Sequence, residues 1–576
     1  MRSPLILMAL LLAGLSAPAQ ILIKNVLIPD TEQKKLLTGY SVLVQDGIIQ
    51  RVDKDKNFKA LPPGTTVLDA GGNYLVPGFT DAHVHFFQSG GLYARPDAID
   101  LRKYRPYAEE ISWTQSHMAN LLRRYLSAGI TSVIDVGASE NFLKLKDSLS
   151  RKSGLPLVRM TGPLLTTWVP APFKNLGANS PFTEMLTEED TRKSVRDQLA
   201  LHTDFIKIWY IVTGNDIEAG ARKNLPLVKA AIEEAHKNNK RVAVHATERI
   251  TAQLAVEAGA DFLVHSVDDE VLSDSFVQLL KSRKTVLCPT LVVAGNYGKV
   301  LGDTYHFNTH ELNLAHPATI GSIIDYPWPD TALARMYKAS LSSPLQKARQ
   351  KGTDSIMALN LMKLVNGGVI IATGTDAGNT GTQHASSYFS ELEAMQAAGM
   401  NLWQLLESST INGARALGQE AEWGSIAKNK KANLLLLEAN PLDSLANWRK
   451  IHRVMLNGEL LDPDTLLQPG PEELVQQQLN AYNAHNLEAF LEPYAADVEL
   501  YEFPGKLLMK GKENMRKDYL FITRIPALYC KLQNRLVQGN MVIDHEEVWG
   551  FGPKPVYAVA IYIIEKGKIS KVYFHQ

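Results

Sequence analysis

Between Phe79 and Gly418 the chain alternates short apolar runs, which predict buried strands, with amphipathic segments, which predict helices. The apolar runs number eight: 79–86, 130–136, 155–160, 205–209, 241–245, 262–267, 285–291 and 369–373. Helical periodicity is clearest at 118–128, 227–237, 251–258 and 354–365. This alternation predicts a (β/α)8 TIM barrel. A doubly wound sheet would alternate in the same way, but no G-x-G-x-x-G turn follows the first strand.

The segments on either side of the barrel predict two further units. Residues 20–76 and 419–467 carry short strand patterns separated by turn signals, and we expect them to form one small split β-sandwich around a barrel at 77–418. A Gln-Pro-Gly-Pro linker at 468–471 precedes residues 472–576, where helical patterns lead into long strands. The predicted fold class is therefore α/β, with an α+β domain at the C-terminus.

The gap between the seventh and eighth predicted strands, residues 292–351, is unusually long. It is rich in Tyr, His, Trp and Pro, which favours a lid or a substrate loop over a linker.

Composition excludes several classes of protein. Lys plus Arg and Asp plus Glu both number 60, so no net field favours nucleic acid as a partner. The two cysteines, Cys288 and Cys530, lie far apart in apolar runs, which excludes a disulfide framework and predicts buried thiols. We expect a homo-oligomer that acts on a small molecule.

The first nineteen residues have the three parts of a secretory signal peptide. Arg2 precedes an apolar run at 4–15, and Ala17-Pro18-Ala19 forms a cleavage signal. The run is too short to span a bilayer. We therefore expect no membrane span, and export of a mature chain that begins at Gln20 to the periplasm or the medium.

Candidate metal ligands stand at the ends of several predicted strands. His83 and His85 are two positions apart on the first strand, so both imidazoles can face one ion. Barrel chemistry gathers at the carboxyl ends of the strands. The matching ends of later strands hold Lys207, His245, His265 and Asp376. Singly, each could be a satisfied core residue or a turn residue; together they predict a site for zinc or a similar divalent ion.

Lys207 needs its own explanation, because an ammonium group beside divalent cations would be strongly repelled. The side chain either points away from the ions or has reacted with carbon dioxide to give an anionic carbamate. A structural lysine that contacts a neighbouring group is the alternative interpretation.

The strand-end motifs resemble the amidohydrolase superfamily in order and context, in particular its imidazolonepropionase-like branch, which contains Xaa-Pro dipeptidases. The motifs lie at 78–86, 206–208, 244–246, 264–266 and 373–376. The resemblance covers residues 20–466 and implies a split β-sandwich beside the barrel. It also implies two divalent ions bridged by carboxylated Lys207. One ion would be held by His83, His85, Lys207 and Asp376, and the other by Lys207, His245 and His265.

The reaction that we expect is hydrolysis of an amide bond in a dipeptide or an N-acyl amino acid. A hydroxide that bridges the ions would attack the carbonyl, and Asp376 would serve as general base and then as general acid. Tyr210 and His384 are predicted to bind substrate, although Tyr210 could simply pack and His384 could cap a helix. The open alternatives are a cyclic amide or lactone hydrolase, and a secreted ligand-binding protein with a structural metal site.

The C-terminal segment resembles the NTF2-like or SnoaL-like group over 481–490, 494–498 and 539–546. The resemblance implies a cone with a pocket, used for ligand binding or dimerisation in many members and for isomerisation in some. No acid–base pair can be placed in this pocket from the sequence, so the binding or dimerisation role is the expectation.

Overall fold

The computed structural model describes residues 20–150, 152–327 and 329–575. The predicted signal peptide, 1–19, lies outside the described residues. The strands are β1 (Gln20–Asp30), β2 (Lys35–Gln45), β3 (Ile48–Lys54), β4 (Thr66–Asp69), β5 (Tyr74–Pro77), β6 (Phe79–Val84), β7 (Ile130–Asp135), β8 (Leu157–Met160), β9 (Leu164–Thr166), β10 (Phe182–Glu184), β11 (Ile206–Trp209), β12 (Val242–His245), β13 (Phe262–Val264), β14 (Val286–Cys288), β15 (Ile370–Ile371), β16 (Leu434–Leu437), β17 (Ile451–Leu456), β18 (Glu459–Leu461), β19 (Tyr494–Glu502), β20 (Lys506–Lys510), β21 (Tyr529–Gln538), β22 (Met541–Trp549), β23 (Val556–Glu565) and β24 (Lys568–His575).

The helices are α1 (Tyr107–Ser127), α2 (Glu140–Leu149), α3 (Glu188–Ala200), α4 (Ile217–Lys237), α5 (Arg249–Ala258), α6 (Asp274–Arg283), α7 (Val293–Leu301), α8 (Thr309–Leu314), α9 (Pro317–Ile324), α10 (Thr331–Leu341), α11 (Pro344–Gly367), α12 (Ser387–Ala398), α13 (Leu402–Ser408), α14 (Ile411–Ala416), α15 (Pro463–Leu466), α16 (Pro471–Asn483), α17 (Leu487–Leu491) and α18 (Lys512–Asp518). No helix within the described residues combines the length and the apolar character that a bilayer crossing requires.

The predicted TIM barrel is confirmed. Its eight strands are β6, β7, β8 and β11 to β15, and their paired neighbours run parallel. Three backbone bonds join the segment after the last strand to the first strand: the Ala82 N–H donates to the Thr373 carbonyl (2.9 Å), the Asp376 N–H to the His83 carbonyl (2.7 Å) and the His85 N–H to the Ala377 carbonyl (2.8 Å). Closure therefore brings the turn after β15 against the end of β6. The short strands β9 and β10 were not predicted, because three residues carry too little pattern to detect.

The strands on the two sides of the barrel share one sheet, in the order β18-β17-β16-β5-β1-β2-β3, and β4 pairs with β1. The junction is the antiparallel pair β5–β16, in which Leu434 lies opposite Pro77 and Leu437 lies opposite Tyr74. The apolar faces of these strands form a small core of their own. This is the split β unit that the sequence predicted; its exact limits, like the other domain limits, stay predictions.

The long segment 292–351 differs from the expected loop because it is mostly helical, with α7 to α10 and the start of α11. Local signals explain the helices: Asn308 and Glu311 form a capping box at α8, and Pro317 occupies the first position of α9. Apolar residues of these helices join one hydrophobic cluster with the C-terminal domain. The segment is therefore a platform for that domain.

The C-terminal domain is a six-stranded sheet in the order β20-β19-β24-β23-β22-β21, with α16, α17 and α18 beside it. Buried Arg124 of α1 joins it to the barrel: the guanidinium donates to Glu473 (2.7 Å) and to the carbonyls of Leu314 (2.9 Å) and Ala315 (3.1 Å). Both cysteines are buried and unpaired, as predicted.

Candidate metal centre

The end of β6 carries the two histidines of the predicted site. The His85 Nδ1–H donates to the Gly137 carbonyl (3.0 Å), which leaves Nε2 free to face the barrel axis. His83 Nε2 and His85 Nε2 lie 3.3 Å apart. Both side chains are buried. The two imidazoles therefore present their Nε2 atoms to the same small volume.

Asp376 reaches that volume from the turn after β15. Its Oδ1 lies 3.2 Å from His83 Nε2 and 3.1 Å from His85 Nε2. The turn is tight: Asp376 has φ 60°, in the left-handed region, and a Cβ at Gly374 would meet the His83 nitrogen at 2.6 Å. The backbone is therefore strained at the point where the Asp376 carboxylate approaches the histidines.

The remaining predicted ligands border the same centre. His265, also at positive φ (80°), has Nδ1 4.0 Å from Asp376 Oδ2 and 2.7 Å from the Thr290 hydroxyl. One potential ligand atom from each of His83, His265 and Asp376 lies within 4.8 Å of the other two. The His245 ring centroid is 4.3 Å from that of His265, so His245 joins the cluster through its neighbour.

Lys207 is fully buried on β11 and makes no hydrogen bond or ion pair within the described part of the chain. Burial lowers the pKa of Lys207 to about 7, although Asp376 opposes the shift. A substantial fraction of the amine is therefore uncharged at neutral pH, and an uncharged amine is the form that can react with carbon dioxide.

The electrostatics of the cluster suit metal ligation. Burial, with the charge of Lys207 and of neighbouring histidines, lowers the pKa of His245 well below its usual range, and burial lowers that of His83 to about 4. Burial would raise the pKa of Asp376, but His83 and His85 outweigh it and hold that pKa well below the usual range. Neutral imidazoles and an ionised carboxylate are the forms that bind a divalent ion.

One orphaned atom tests whether an ion fits. Asp376 Oδ1 is buried and makes no hydrogen bond within the described residues, since neither histidine contact has hydrogen-bond direction. A buried carboxylate oxygen without a partner is costly unless a cation compensates it. The donor set, imidazole nitrogen and carboxylate oxygen, is the one that zinc prefers. The residues present therefore fit a divalent ion.

Two buried carboxylates that sequence analysis missed support the cluster. Asp81 accepts hydrogen bonds from the Thr375 N–H (3.0 Å), the Thr375 hydroxyl (2.8 Å) and the His83 N–H (3.3 Å), which ties β6 to the Asp376 turn. Asp135 accepts from the N–H groups of Phe86 and Gly137, both at 3.0 Å. A signal was available for Asp81, which shares a strand face with His83.

Neither predicted substrate residue has a free polar atom. The Tyr210 hydroxyl donates to the Ala221 carbonyl (2.6 Å), and the side chain is buried. His384 Nδ1 accepts from the Tyr125 hydroxyl (3.1 Å), while its Nε2–H donates to the Gln88 carbonyl (2.9 Å). Burial lowers the pKa of His384 to about 4. Tyr210 is thus tied to α4, and His384 to α1 and to the segment after β6. Their role in substrate binding stays a prediction.

An aromatic wall borders the centre on the β11 side. The Trp209 ring lies 6.0 Å from the His245 ring and 6.0 Å from the half-exposed ring of Trp168. Trp209 shares a strand face with Lys207, so strand alternation could have predicted its position.

A TIM barrel with imidazoles, a carboxylate and a lysine clustered at its strand ends is the arrangement of a barrel protein with a candidate metal site. The chain belongs to the amidohydrolase family, whose profile matches residues 74–461, more than half of the chain. The SnoaL-like domain profile matches residues 475–572. The family and the NTF2-like nature of the C-terminal domain are thus confirmed.

Individual known proteins match this chain either over short stretches or at low sequence identity. A 5-methylthioadenosine/S-adenosylhomocysteine deaminase of Teredinibacter turnerae is 32% identical over 87 residues, which are 14% of this chain and 20% of that protein. Two solved structures share the fold at 20% identity and cover 77% of this chain and 100% of theirs: a prolidase complexed with N-methylphosphonate-L-proline (TM-score 0.59) and a Xaa-Pro dipeptidase with bound methionine (TM-score 0.56).

Proposed function

We propose that this protein is a metal-dependent hydrolase of C–N bonds that cleaves the amide of a dipeptide or an N-acyl amino acid. The observation that carries the proposal is the unpartnered carboxylate oxygen of Asp376 between His83 and His85. Family membership supports hydrolysis, and the fold shared with a prolidase and a Xaa-Pro dipeptidase favours a dipeptide.

The residues that would hold divalent ions, zinc in the first instance, are His83, His85, Lys207, His245, His265 and Asp376. A bound ion would lower the pKa of water and polarise the scissile carbonyl. Lys207 serves this site as a carbamate in the proposal: its buried amine has no protein partner in the described residues that would hold it as an ammonium. Whether one or two ions bind follows from the state of this side chain.

Asp376 moves the proton. Its carboxylate is ionised at neutral pH and faces the volume in which water and the amide must meet, so it accepts a proton from water and delivers it to the leaving nitrogen. Asp81 acts as a positioning residue, because its bonds to Thr375 and His83 fix the distance between the Asp376 turn and β6.

The substrate would lie against the aromatic wall of Trp168 and Trp209, which favours an amide with an apolar side chain. The proposal also includes export of the chain, a homo-oligomer, and roles for Tyr210 and His384 in substrate binding.

The test is a panel of dipeptides and N-acyl amino acids with the purified chain, with metal content measured on the same sample. We expect amide cleavage that chelation abolishes and zinc restores. His265→Ala should lose activity and metal together, whereas His236→Ala, a histidine on the barrel exterior paired with Asp261, should lose neither. Metal binding without cleavage of any amide, cyclic amide or lactone would favour the ligand-binding alternative.

A further inference from the structure

The segment after β6, residues 85–106, lies over the turn that follows β15, at the carboxyl ends of the barrel strands. Two backbone bonds hold it there: the Gly90 N–H donates to the Gly378 carbonyl (2.8 Å), and the Gly381 N–H donates to the Gly90 carbonyl (3.0 Å). Loops at this end of a TIM barrel are the ones that contact substrates. Arg95 belongs to this segment and carries a positive charge to the neighbourhood of the candidate metal centre.

Arg95 is linked to Asp376 through a single side chain, that of Asn379. The Asn379 amide donates to the Asp376 carbonyl (3.0 Å), and the Asn379 oxygen accepts from Arg95 Nη1 (2.5 Å). The Tyr297 hydroxyl of α7 donates to the same oxygen (2.7 Å), and its ring centre lies 5.9 Å from the guanidinium carbon. Burial would lower the pKa of Arg95, but Asp97 and Asp376 are among the groups that outweigh it and raise that pKa. The guanidinium therefore stays charged within electrostatic reach of Asp376.

Asp97 holds the guanidinium of Arg95 by one edge. The Arg95 Nε–H donates to Asp97 Oδ1 (2.8 Å), and Nη2 donates to Asp97 Oδ2 (2.6 Å). Together with the bond to Asn379, these contacts use three of the five N–H donors of the guanidinium. The other two donors, one on each terminal nitrogen, make no hydrogen bond within the described residues, and the side chain is 20% exposed. Donors on both terminal nitrogens can bind the two oxygens of one carboxylate.

Arg102 shows what a purely structural arginine of the same segment looks like. It pairs with Asp100 through the same two-nitrogen contact (2.8 and 2.6 Å), but its side chain is 43% exposed, and it forms no hydrogen bond to the Asp376 turn in the described part of the chain. Arg95 differs because its orientation is fixed on two sides, by Asp97 and by Asn379. A guanidinium fixed in this way presents its two unused donors in a defined direction.

We propose that Arg95 binds the carboxylate of the substrate and thereby restricts hydrolysis to amides whose nitrogen belongs to an amino acid with a free carboxylate. This inference rests on the proposed amide hydrolysis and narrows its substrates. In such an amide the carboxylate stands two bonds from the nitrogen that receives the proton from Asp376, so a carboxylate site on the Asp376 side of the centre has the required placement. Because Asp97 offsets much of the charge of Arg95, recognition depends on the direction of the N–H groups, which a lysine would not reproduce.

The test compares N-acetyl-L-phenylalanine with N-acetyl-L-phenylalaninamide, two probes that differ in the carboxylate. Equilibrium dialysis against the metal-free full chain measures binding without hydrolysis and without an ion that could bind the carboxylate. We expect the acid to bind about 10- to 100-fold more tightly than the amide, the range for paired charge-assisted hydrogen bonds. Arg95→Met should bring this ratio close to one, and Arg95→Lys should restore only a small part of it.

Arg102→Met is the matched control, because it removes an arginine of the same segment that has the same kind of ion pair, and it should keep the wild-type ratio. Steady-state kinetics of the zinc-loaded protein separate recognition from a structural role. Arg95→Met should raise KM for the acid by the same factor and leave kcat within about threefold. Loss of a structural link to Asp376 would instead lower kcat and weaken the binding of both probes equally.

Circular dichroism of each variant separates lost recognition from lost folding. A ratio near one in the wild type, or an unchanged ratio in the folded Arg95→Met variant, would overturn the proposal. Failure of the proposed function would give a different result: a wild type that discriminates between the probes but cleaves no amide retains the assignment of Arg95 and loses the amide hydrolysis. Cleavage of the acid and the amide with equal kcat/KM would overturn the role of Arg95 and leave the hydrolysis intact.

Discussion

The barrel centre and a cavity in the C-terminal domain both bury polar side chains, but they do so in opposite ways. At the barrel centre, side chains from the ends of five strands lie close together, and His83 Nε2, His85 Nε2 and Asp376 Oδ1 lie 3.1 to 3.3 Å apart. In the cavity, Glu546 and Tyr519 border a space of about 870 Å³. The first arrangement leaves room for ions, and the second leaves room for a molecule.

The difference shows that unsatisfied buried groups are informative only together with the space around them. The orphaned carboxylate oxygen among imidazoles requires a cation, whereas the Glu546 carboxyl already accepts a hydrogen bond from the Tyr562 hydroxyl. The two sites should therefore respond to different perturbations, and separate substitutions can test each one.

The largest effect should come from Asp376→Ala. We expect kcat to fall by about 10³-fold, because the proton acceptor and donor for the amide is lost. Most of the bound metal should remain, since four imidazoles and Lys207 persist. Steady-state kinetics and metal analysis check this, and near-wild-type turnover would refute the catalytic role of Asp376.

Lys207→Met should have the next largest effect. Without an anionic side chain between the two sets of ligands, we expect the metal content to fall from two ions to one and kcat to fall by about 10²-fold. Added bicarbonate should raise the activity of the metal-depleted wild type during reconstitution but not that of the variant. An unchanged metal content would show that Lys207 points away from the ions.

Asp81→Asn should weaken metal affinity by about 10- to 100-fold, because the amide nitrogen cannot accept the hydrogen bond that the Thr375 hydroxyl donates to one carboxylate oxygen. Competition with a chelator measures the affinity directly. Asp303→Asn, in an exposed pair with Lys338, is the control that should leave it unaltered. Equal metal affinities in the two variants would show that Asp81 does not position the metal ligands.

The smallest effect should be that of Tyr562→Phe. Removal of this hydroxyl leaves Glu546 and Gln478 without a shared partner, and we expect a loss of about 1 kcal/mol from the free energy of unfolding of the C-terminal domain. Amide hydrolysis should not change. Thermal unfolding checks this against Tyr557→Phe, whose ring is 57% exposed. Reduced hydrolysis in Tyr562→Phe would show that the two sites are coupled.

Much of the fold follows from sequence because its signals are local. The alternation of apolar runs located all eight barrel strands. The two-residue spacing of His83 and His85 placed them on one strand face. Long-range packing was not predictable in this way. The segment 292–351 has aromatic, loop-like composition, yet it folds into helices because the C-terminal domain covers their apolar faces.

The same limit applies to the site. Metal-ligand residue types at strand ends identified the cluster. The strand face that Asp81 shares with His83 was visible in the sequence, but its partner Thr375 was not, because barrel closure brings that residue to it. Tyr210 and His384 lie near the ligands in sequence, yet which way their polar atoms point is decided by tertiary partners, Ala221 for the one and Tyr125 with Gln88 for the other.

The most direct test of the central claim is a zinc titration of the metal-free protein, followed by cleavage of the best dipeptide in the panel. Activity should be absent in the metal-free protein and rise in proportion to added zinc until the ligand set is filled. It should not rise in His265→Ala. Undiminished cleavage by the metal-free protein, or full recovery in His265→Ala, would contradict the account.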